Sequence, residues 1–213
     1  MSGNTVRNAT ERSINIYQVG GRAYVERNVI TTSRISGPAG GIAPDVIHVV
    51  GSGSYLISHN SVHSRLATEA GIRVHSQFTD WPIADAIVVD NEVNMEAPEG
   101  TVFGVNSAGI DIWGNAQGNV VLNNSIRGRA RAALALAVFP PPQPGDGVPA
   151  TNAFILNRFE DFEASLADVV VGERVMNTLI VGPGTVHDEG VGTVQVRIGG
   201  PQREGDDEGG HFR

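Results

Sequence analysis

The residues best suited to chemistry lie in short segments that alternate an apolar residue with a variable one. The catalytic candidates are His48, Arg73, His75 and Asp111, and the candidates for substrate binding are Tyr17, Asn15 and Trp113. Because successive side chains of a strand point to opposite faces, all of these residues would project from one face of a sheet whose other face is apolar.

Together these residue types suit the recognition of a carbohydrate polymer. The ring of Trp113 or Tyr17 could stack on the apolar face of a sugar, and Arg73 could hold the carboxylate of an acidic sugar by paired hydrogen bonds. Histidine takes or gives a proton near neutral pH, while Asp111 could orient a histidine, act as a base or bind a cation. The alternative is a solvated sheet face on which these polar residues only satisfy one another.

Two interleaved repeats predict how these segments are positioned. The first repeat ends an apolar stretch in asparagine, at Asn28, Asn60, Asn91, Asn124 and Asn157. The second is the alternating segment itself, as at residues 72–75, 110–113 and 194–197. Period two indicates strands, and a spacing of about 30 residues between the asparagines is typical of solenoids. No unit can bury its apolar side alone, so we expect successive units to stack as parallel strands.

This asparagine ladder with alternating strands between its rungs resembles the right-handed parallel β-helix of the pectin-lyase-like superfamily. The resemblance covers residues 4–199 and implies an all-β, single-stranded solenoid of about seven coils. It also implies an acidic polysaccharide as partner and lyase, hydrolase or epimerase chemistry. The chain departs from those enzymes because its strand face offers only Asp111 as an acid and the sequence contains no lysine.

The domain organisation follows from the extent of the repeats. Residues 1–199 are predicted to form the β-helix, and residues 200–213 a disordered, acidic and Gly-rich tail. The asparagine column is interpreted as structural, because asparagine tolerates the left-handed turn conformation and its amide can bond the amides above and below. Gly182 is predicted to meet the same conformational demand in the last rung.

Surface features give weaker indications. Gly- and Pro-rich loops adjoin the alternating strands and could wall a groove over them, at residues 33–45, 77–85, 96–108 and 139–151. Arg127, Arg129 and Arg131 alternate and predict a small basic patch that meets either an anionic polymer or solvent.

Composition excludes several classes of function. The chain has 213 residues, a net charge of −8 and no cysteine, which excludes disulfides, thiol catalysis and cysteine metal sites. The acidic balance argues against nucleic acid as a partner, and no apolar run approaches the roughly 20 residues that span a membrane. No metal site or cofactor is indicated; Asp111 alone gives calcium no supporting motif.

Two hypotheses remain open. The first is a β-helix that binds a carbohydrate polymer on the outward strand face, with lyase or hydrolase activity as a further step. It predicts that Trp113→Ala or Arg73→Ala abolishes polysaccharide binding without unfolding the protein. The second is a non-catalytic structural or adhesion scaffold that self-assembles through its ends or faces. A homo-oligomer or further N-terminal coils would cover the uncapped first unit. The resemblance suggests an extracellular or cell-surface location, although the chain shows no signal peptide.

Overall fold

The regular structure of the chain consists of β-strands. The computed structural model describes residues 1–9, 13–17, 20–32, 45–65, 69–76, 82–137 and 147–198. The described residues include no helix, and so no helix that is long and apolar enough to cross a membrane. The predicted tail at residues 200–213 lies outside the described part. Residues 33–44, 77–81 and 138–146, which make up most of three of the predicted loops, also lie outside it.

Three parallel sheets, A, B and C, surround the core, and a pair of short strands lies beside them. Sheet A contains β3 (Arg22–Glu26), β6 (Ser54–Ser58), β10 (Ile87–Val89), β14 (Val120–Leu122), β17 (Ala153–Ile155), β20 (Leu179–Val181) and β22 (Val194–Val196). Sheet B contains β1 (Thr5–Ala9), β4 (Val29–Thr32), β7 (Ser61–Ser64), β11 (Glu92–Met95), β15 (Ser125–Ala130) and β18 (Phe162–Ala164). Sheet C contains β2 (Ile14–Tyr17), β5 (Ile47–Val50), β8 (Ile72–Ser76), β12 (Ala108–Gly114), β16 (Ala132–Ala137), β19 (Val169–Val171) and β21 (Val186–Asp188). The extra pair is β9 (Ile83–Ala84) and β13 (Ala116–Gln117).

The chain visits the sheets in a fixed order. From β2 to β18 each winding adds a strand to sheet C, then to sheet A, then to sheet B. All pairings are parallel, as between β5 and β8 or between β6 and β10. The predicted right-handed parallel β-helix is confirmed, with the hand that parallel crossovers favour.

The core is built from stacked copies of the alternating pattern. In sheet C, Ile110 pairs with Ile72 on one side and with Leu134 on the other. All of these side chains are at most 1% exposed. Full burial of such a side chain contributes about 2–3 kcal/mol, so the inward rows hold the coils together and fix the register of the outward rows.

The asparagine column forms the predicted ladder. Asn60 Nδ2 donates to Asn91 Oδ1 at 2.9 Å, and Asn91 Nδ2 donates to Asn124 Oδ1 at 2.9 Å. The same contact joins Asn28 to Asn60 and Asn124 to Asn157. Each of these Oδ1 atoms also accepts a backbone N–H from the preceding rung, as from Asn91 N to Asn124 Oδ1 at 2.9 Å. The ladder therefore satisfies backbone groups of the turns between sheets A and B.

The predicted backbone reason for the ladder is wrong. The left-handed residue is the one before each asparagine, with φ of 52–54° at Arg27, His59, Asp90, Asn123 and Leu156. The ladder asparagines are not among the residues of positive φ in the described chain. Gly182 lies one position before the place an asparagine would take, because Val181 pairs with Ile155. The preceding residue makes the turn, which leaves the asparagine amide free to stack inward.

A second, shorter ladder lies at another corner of the helix. Asn119 Nδ2 donates to Asn152 Oδ1 at 2.9 Å, and Asn119 Oδ1 accepts the backbone N–H of Ala86 at 2.9 Å. The residues before these positions again have positive φ, 57° at Asp85 and 55° at Thr151. At both corners, therefore, the residue before the ladder position adopts the left-handed conformation and makes the turn.

One predicted strand lies in a different sheet. Residues 194–197 were expected to continue the alternating row of sheet C, but Val194 pairs with Leu179 of sheet A. The last strand of sheet C is β21, whose His187 pairs with Val170. After β18 the chain passes from sheet A directly to sheet C, which shortens the repeat and shifts its phase.

Candidate functional site

Sheet C brings the predicted site residues onto one outer face. One row of paired positions contains Asn15, His48, Arg73 and Asp111. The neighbouring row contains Tyr17, Val50, His75 and Trp113. Four strands at a spacing of about 4.8 Å make each row about 14 Å long.

The burial of these rows differs from the expectation. Arg73 and Trp113 lie at the predicted outward positions but are covered there, with exposed fractions of 5% and 6%. His48 and Asp111 are also buried, whereas Tyr17 is 59% exposed. Asn15 is exposed and His75 is half-buried. The face is therefore neither an open sugar platform nor a solvated sheet at its centre.

Arg73 is the centre of a buried ionic cluster. Its Nη1 lies 2.9 Å from Glu69 Oε2 and 3.0 Å from Asp45 Oδ1. Its Nη2 lies 2.9 Å from Asp111 Oδ2 and donates to the backbone carbonyl of Asn106 at 3.1 Å. We call Asp45, Glu69, Arg73 and Asp111 the Arg73 cluster.

Asp45 and Glu69 are functional-site candidates that the sequence analysis missed. Each precedes a strand of sheet C, so neither belongs to the alternating pattern. Both are buried, at 2% and 8% exposure. The only sequence signal is an acidic residue shortly before an alternating segment, and that signal does not say which cation the acid meets.

The aromatic residues of the second row pack against the cluster. The guanidinium carbon of Arg73 lies 4.0 Å from the centre of the Trp113 ring. His75 meets Trp113 edge-on and stacks on His48, with ring centroids 5.9 Å apart in both pairs. His48 Nε2 in turn lies 3.8 Å from Asp45 Oδ2. His75 thereby connects the buried cluster with the accessible part of the face.

The charges of the cluster do not suit the role predicted for Arg73. Its guanidinium already meets three carboxyl groups, and an added carboxylate would meet their negative charge. The group with unusual proton affinity is instead Asp111. Burial raises its pKa to about 7, Arg73 opposes this change, and the charges of Asp45 and Glu69 add to it. Burial likewise raises the pKa of Glu69.

Ionisation of Asp111 is expected to destabilise the fold as the pH rises. The folded state keeps a proton that the unfolded state has already released, because the pKa is about 7 when folded and about 4 when unfolded. This stabilisation is complete below about pH 4 and is lost as the pH rises through about 7; the pKa difference corresponds to about 4 kcal/mol.

The variant Asp111→Asn isolates this effect, because asparagine resembles the protonated acid and does not titrate. Urea unfolding of both proteins between about pH 4 and about pH 8 is the measurement. The wild type should lose stability relative to the variant as the pH rises. Parallel pH profiles would show that Asp111 does not titrate in this range.

In the parts of the chain that the structure describes, no three histidine, aspartate or glutamate side chains converge in a way that could hold a metal ion. The three carboxyl groups of the Arg73 cluster surround a guanidinium instead.

Comparison with protein-family models, with curated proteins and with solved structures found no match to this chain. The parallel β-helix and its asparagine ladders are therefore shown by the geometry described above, and membership of the pectin-lyase-like superfamily is not.

Proposed function

We propose that the chain binds a carbohydrate polymer over the outer face of sheet C, with the Arg73 cluster as the chemically active part of the site. The observation that carries this proposal is a change of residue type along one row. Asp111 pairs with Ala135, which pairs with Val170, and these two apolar residues are 6% and 4% exposed. Small apolar side chains are therefore sufficient for a covered face.

Stability does not explain why charged side chains are buried at positions where apolar side chains would be sufficient. Taking ionised groups out of water costs several kcal/mol for each ion, and apolar replacements are often as stable. A buried acid whose pKa is strongly shifted by burial and a specific partner is typical of functional sites. Asp111 has both properties. The resemblance to the pectin-lyase-like superfamily supports a polysaccharide as the substrate class.

The residues divide into contact and proton-transfer roles. Tyr17 offers an exposed ring for a sugar face, and Asn15 offers an amide beside it. His75 is the catalytic candidate that is partly accessible. Asp111 would give or take the proton, with Arg73 holding its carboxyl in place. Because Asp111 is 1% exposed, this role requires a conformational change that gives substrate access to it.

Hydrolysis suits this site better than elimination. Glycoside hydrolysis uses two carboxyl groups about 5–9 Å apart, one of them with a raised pKa. Asp111 supplies the carboxyl group with the raised pKa, and Asp45 and Glu69 supply further carboxyl groups on the same guanidinium. Elimination from an acidic sugar needs positive charge for the sugar carboxylate, and the cluster has an excess of acids.

Binding is tested with Tyr17→Ala, because this exposed ring can be removed without opening the core. Loss of one stacked sugar should weaken polysaccharide binding by about two- to tenfold, measured by affinity electrophoresis in neutral and acidic polysaccharides. The matched control is Tyr24→Ala, which removes a ring that is 50% exposed on sheet A. Equal behaviour of the two variants, or no retention of the wild type by any polysaccharide, would refute the proposal.

The scaffold hypothesis is favoured by a different observation. β22 is the last strand of sheet A, and Val194 and Val196 are 55% and 47% exposed there. An edge strand with apolar side chains is a surface on which a second copy could pair. Light scattering across a range of protein concentrations tests this hypothesis, which predicts a mass above one chain; a single-chain mass throughout would refute it.

A further inference from the structure

A second polar surface lies on the outer face of sheet B, away from the Arg73 cluster. Four strands, β4, β7, β11 and β15, form a groove of about 200 Å³ there. The polar side chains that line the groove are Thr31, Ser61, His63, Glu92, Asn94 and Arg127. We call this surface the sheet B groove.

One row of sheet B runs through the groove to Arg127 and continues beyond the groove lining to Arg7 on β1, so it has an arginine at each end. The paired positions of this row are Arg7, Thr31, His63, Asn94 and Arg127. Five strands at about 4.8 Å place the two arginines about 19 Å apart. The row therefore runs parallel to the axis of the β-helix.

The arginines of this row differ from those of the next row. Arg65 and Arg129 lie in ion pairs, with Glu96 at 3.2 Å and with Glu163 at 2.9 Å. Arg7 and Arg127 are exposed, and neither forms an ion pair or a hydrogen bond with the residues that the structure describes. Their charges are therefore available to a ligand.

Between the two arginines the row offers hydrogen-bonding side chains. Thr31 has a hydroxyl and Asn94 an amide, and the ring of His63 is fixed by a contact of 2.6 Å between its Nε2 and Glu96 Oε2. Glu92 is the single carboxylate among the described residues that line the groove. A ligand that fits this row carries negative charges that reach the arginines at its two ends and hydroxyl groups between them.

We propose that the sheet B groove binds an anionic polysaccharide along the helix axis, with its carboxylate or sulfate groups at Arg7 and Arg127 and its hydroxyl groups at the residues between them. This site uses no residue of sheet C, so it stands or falls independently of the function proposed above. A nucleic acid fits less well, because the described lining of the groove contains no phenylalanine, tyrosine or tryptophan for base stacking and the whole chain carries a net charge of −8.

The experiment measures binding of polygalacturonate and heparin oligosaccharides by titration calorimetry, with dextran as the uncharged probe. Arg7→Gln and Arg127→Gln should each weaken binding by about threefold, and the double variant by about tenfold, since each removes one exposed charge contact. Added salt should weaken the wild type more than the double variant. Binding of polygalacturonate, which carries only carboxylates, would show that carboxylate is sufficient, whereas binding of heparin alone would identify sulfate as the bound group, because heparin carries both.

The matched control is Arg22→Gln, which removes an exposed arginine from β3 of sheet A. The proposal would be overturned if Arg22→Gln weakened binding as much as Arg127→Gln does, or if the double variant bound as tightly as the wild type. Tighter binding of single-stranded DNA or RNA that is lost in the same variants would overturn the choice of ligand.

A measurement on the wild type removes any dependence on how the variants fold. The ring resonances of His63 should shift when polygalacturonate or heparin is added. Shifts at His75 or His187, which lie on sheet C, report binding at the separate site proposed above. No shift at His63 when binding is detected would place the ligand away from the sheet B groove.

Discussion

Replacing Arg73 by methionine is expected to remove about 3–5 kcal/mol of the free energy of unfolding near pH 7. Methionine keeps much of the side-chain volume but leaves the carboxyl groups of Asp45, Glu69 and Asp111 without their common cation. All three are buried, with Asp111 at 1% exposure, so water cannot replace the guanidinium. Urea unfolding followed by circular dichroism measures the loss.

The loss should shrink in acid. Without Arg73 the pKa of Asp111 would rise further, because the charge that lowers it is gone. The carboxyl groups would then bind protons, and a neutral cluster needs no cation. A matched control is Arg65→Met, which breaks the exposed pair with Glu96 and should cost no more than about 1 kcal/mol. Equal losses in both variants, or a loss independent of pH, would contradict the structural role of Arg73.

The fold was predictable because, in a solenoid, residues that lie one repeat apart in the sequence are neighbours in space. The asparagines at 60, 91 and 124 recur at the length of one winding, and the structure stacks them in consecutive rungs. The alternation at Ile72 and Ile110 likewise predicts both the strand and its partner. One repeated pattern therefore determines local structure, packing and register together.

The environment of the site was not predictable in the same way. Asp45 and Glu69 lie outside the repeat, yet both form ion pairs with the buried guanidinium of Arg73. The left-handed position before each asparagine is also hidden, since it is occupied by arginine, histidine, aspartate, asparagine and leucine. No single residue type marks either feature, because both depend on the fold around the position.

The sheet B groove could be predicted from the sequence only in part. The residues after each ladder asparagine alternate as well, as at Ser61 and His63 or at Glu92 and Asn94. Their outward positions are polar, and Arg127 continues the same row. The sequence analysis predicted a basic patch of Arg127, Arg129 and Arg131. In the structure Arg129 pairs with Glu163, and only the register shows that Arg7 lies in the row of Arg127, four strands away.

Replacing Asn124 by alanine is expected to cost about 3–5 kcal/mol, because it interrupts the ladder at a fully buried rung. Its Nδ2 donates to the carbonyl of Val88 and to Asn157 Oδ1, both at 2.9 Å. Its Oδ1 accepts from the backbone N–H and from Nδ2 of Asn91, again at 2.9 Å. Alanine would leave several of these groups without a partner and open a cavity at the same place. Thermal and urea unfolding measure the loss.

Two further variants separate hydrogen bonding from volume. Asn124→Asp preserves the shape but turns the donor toward Val88 and Asn157 into an acceptor, so it should cost at least as much near pH 7. Asn4→Ala removes the first, exposed rung, whose Nδ2 donates to Asn28 Oδ1 at 2.9 Å; water can reach this rung, and the cost should be about 1 kcal/mol or less. If Asn4→Ala and Asn124→Ala lose the same stability, or if Asn124→Asp is tolerated, the buried amide bonds do not hold the coils in register.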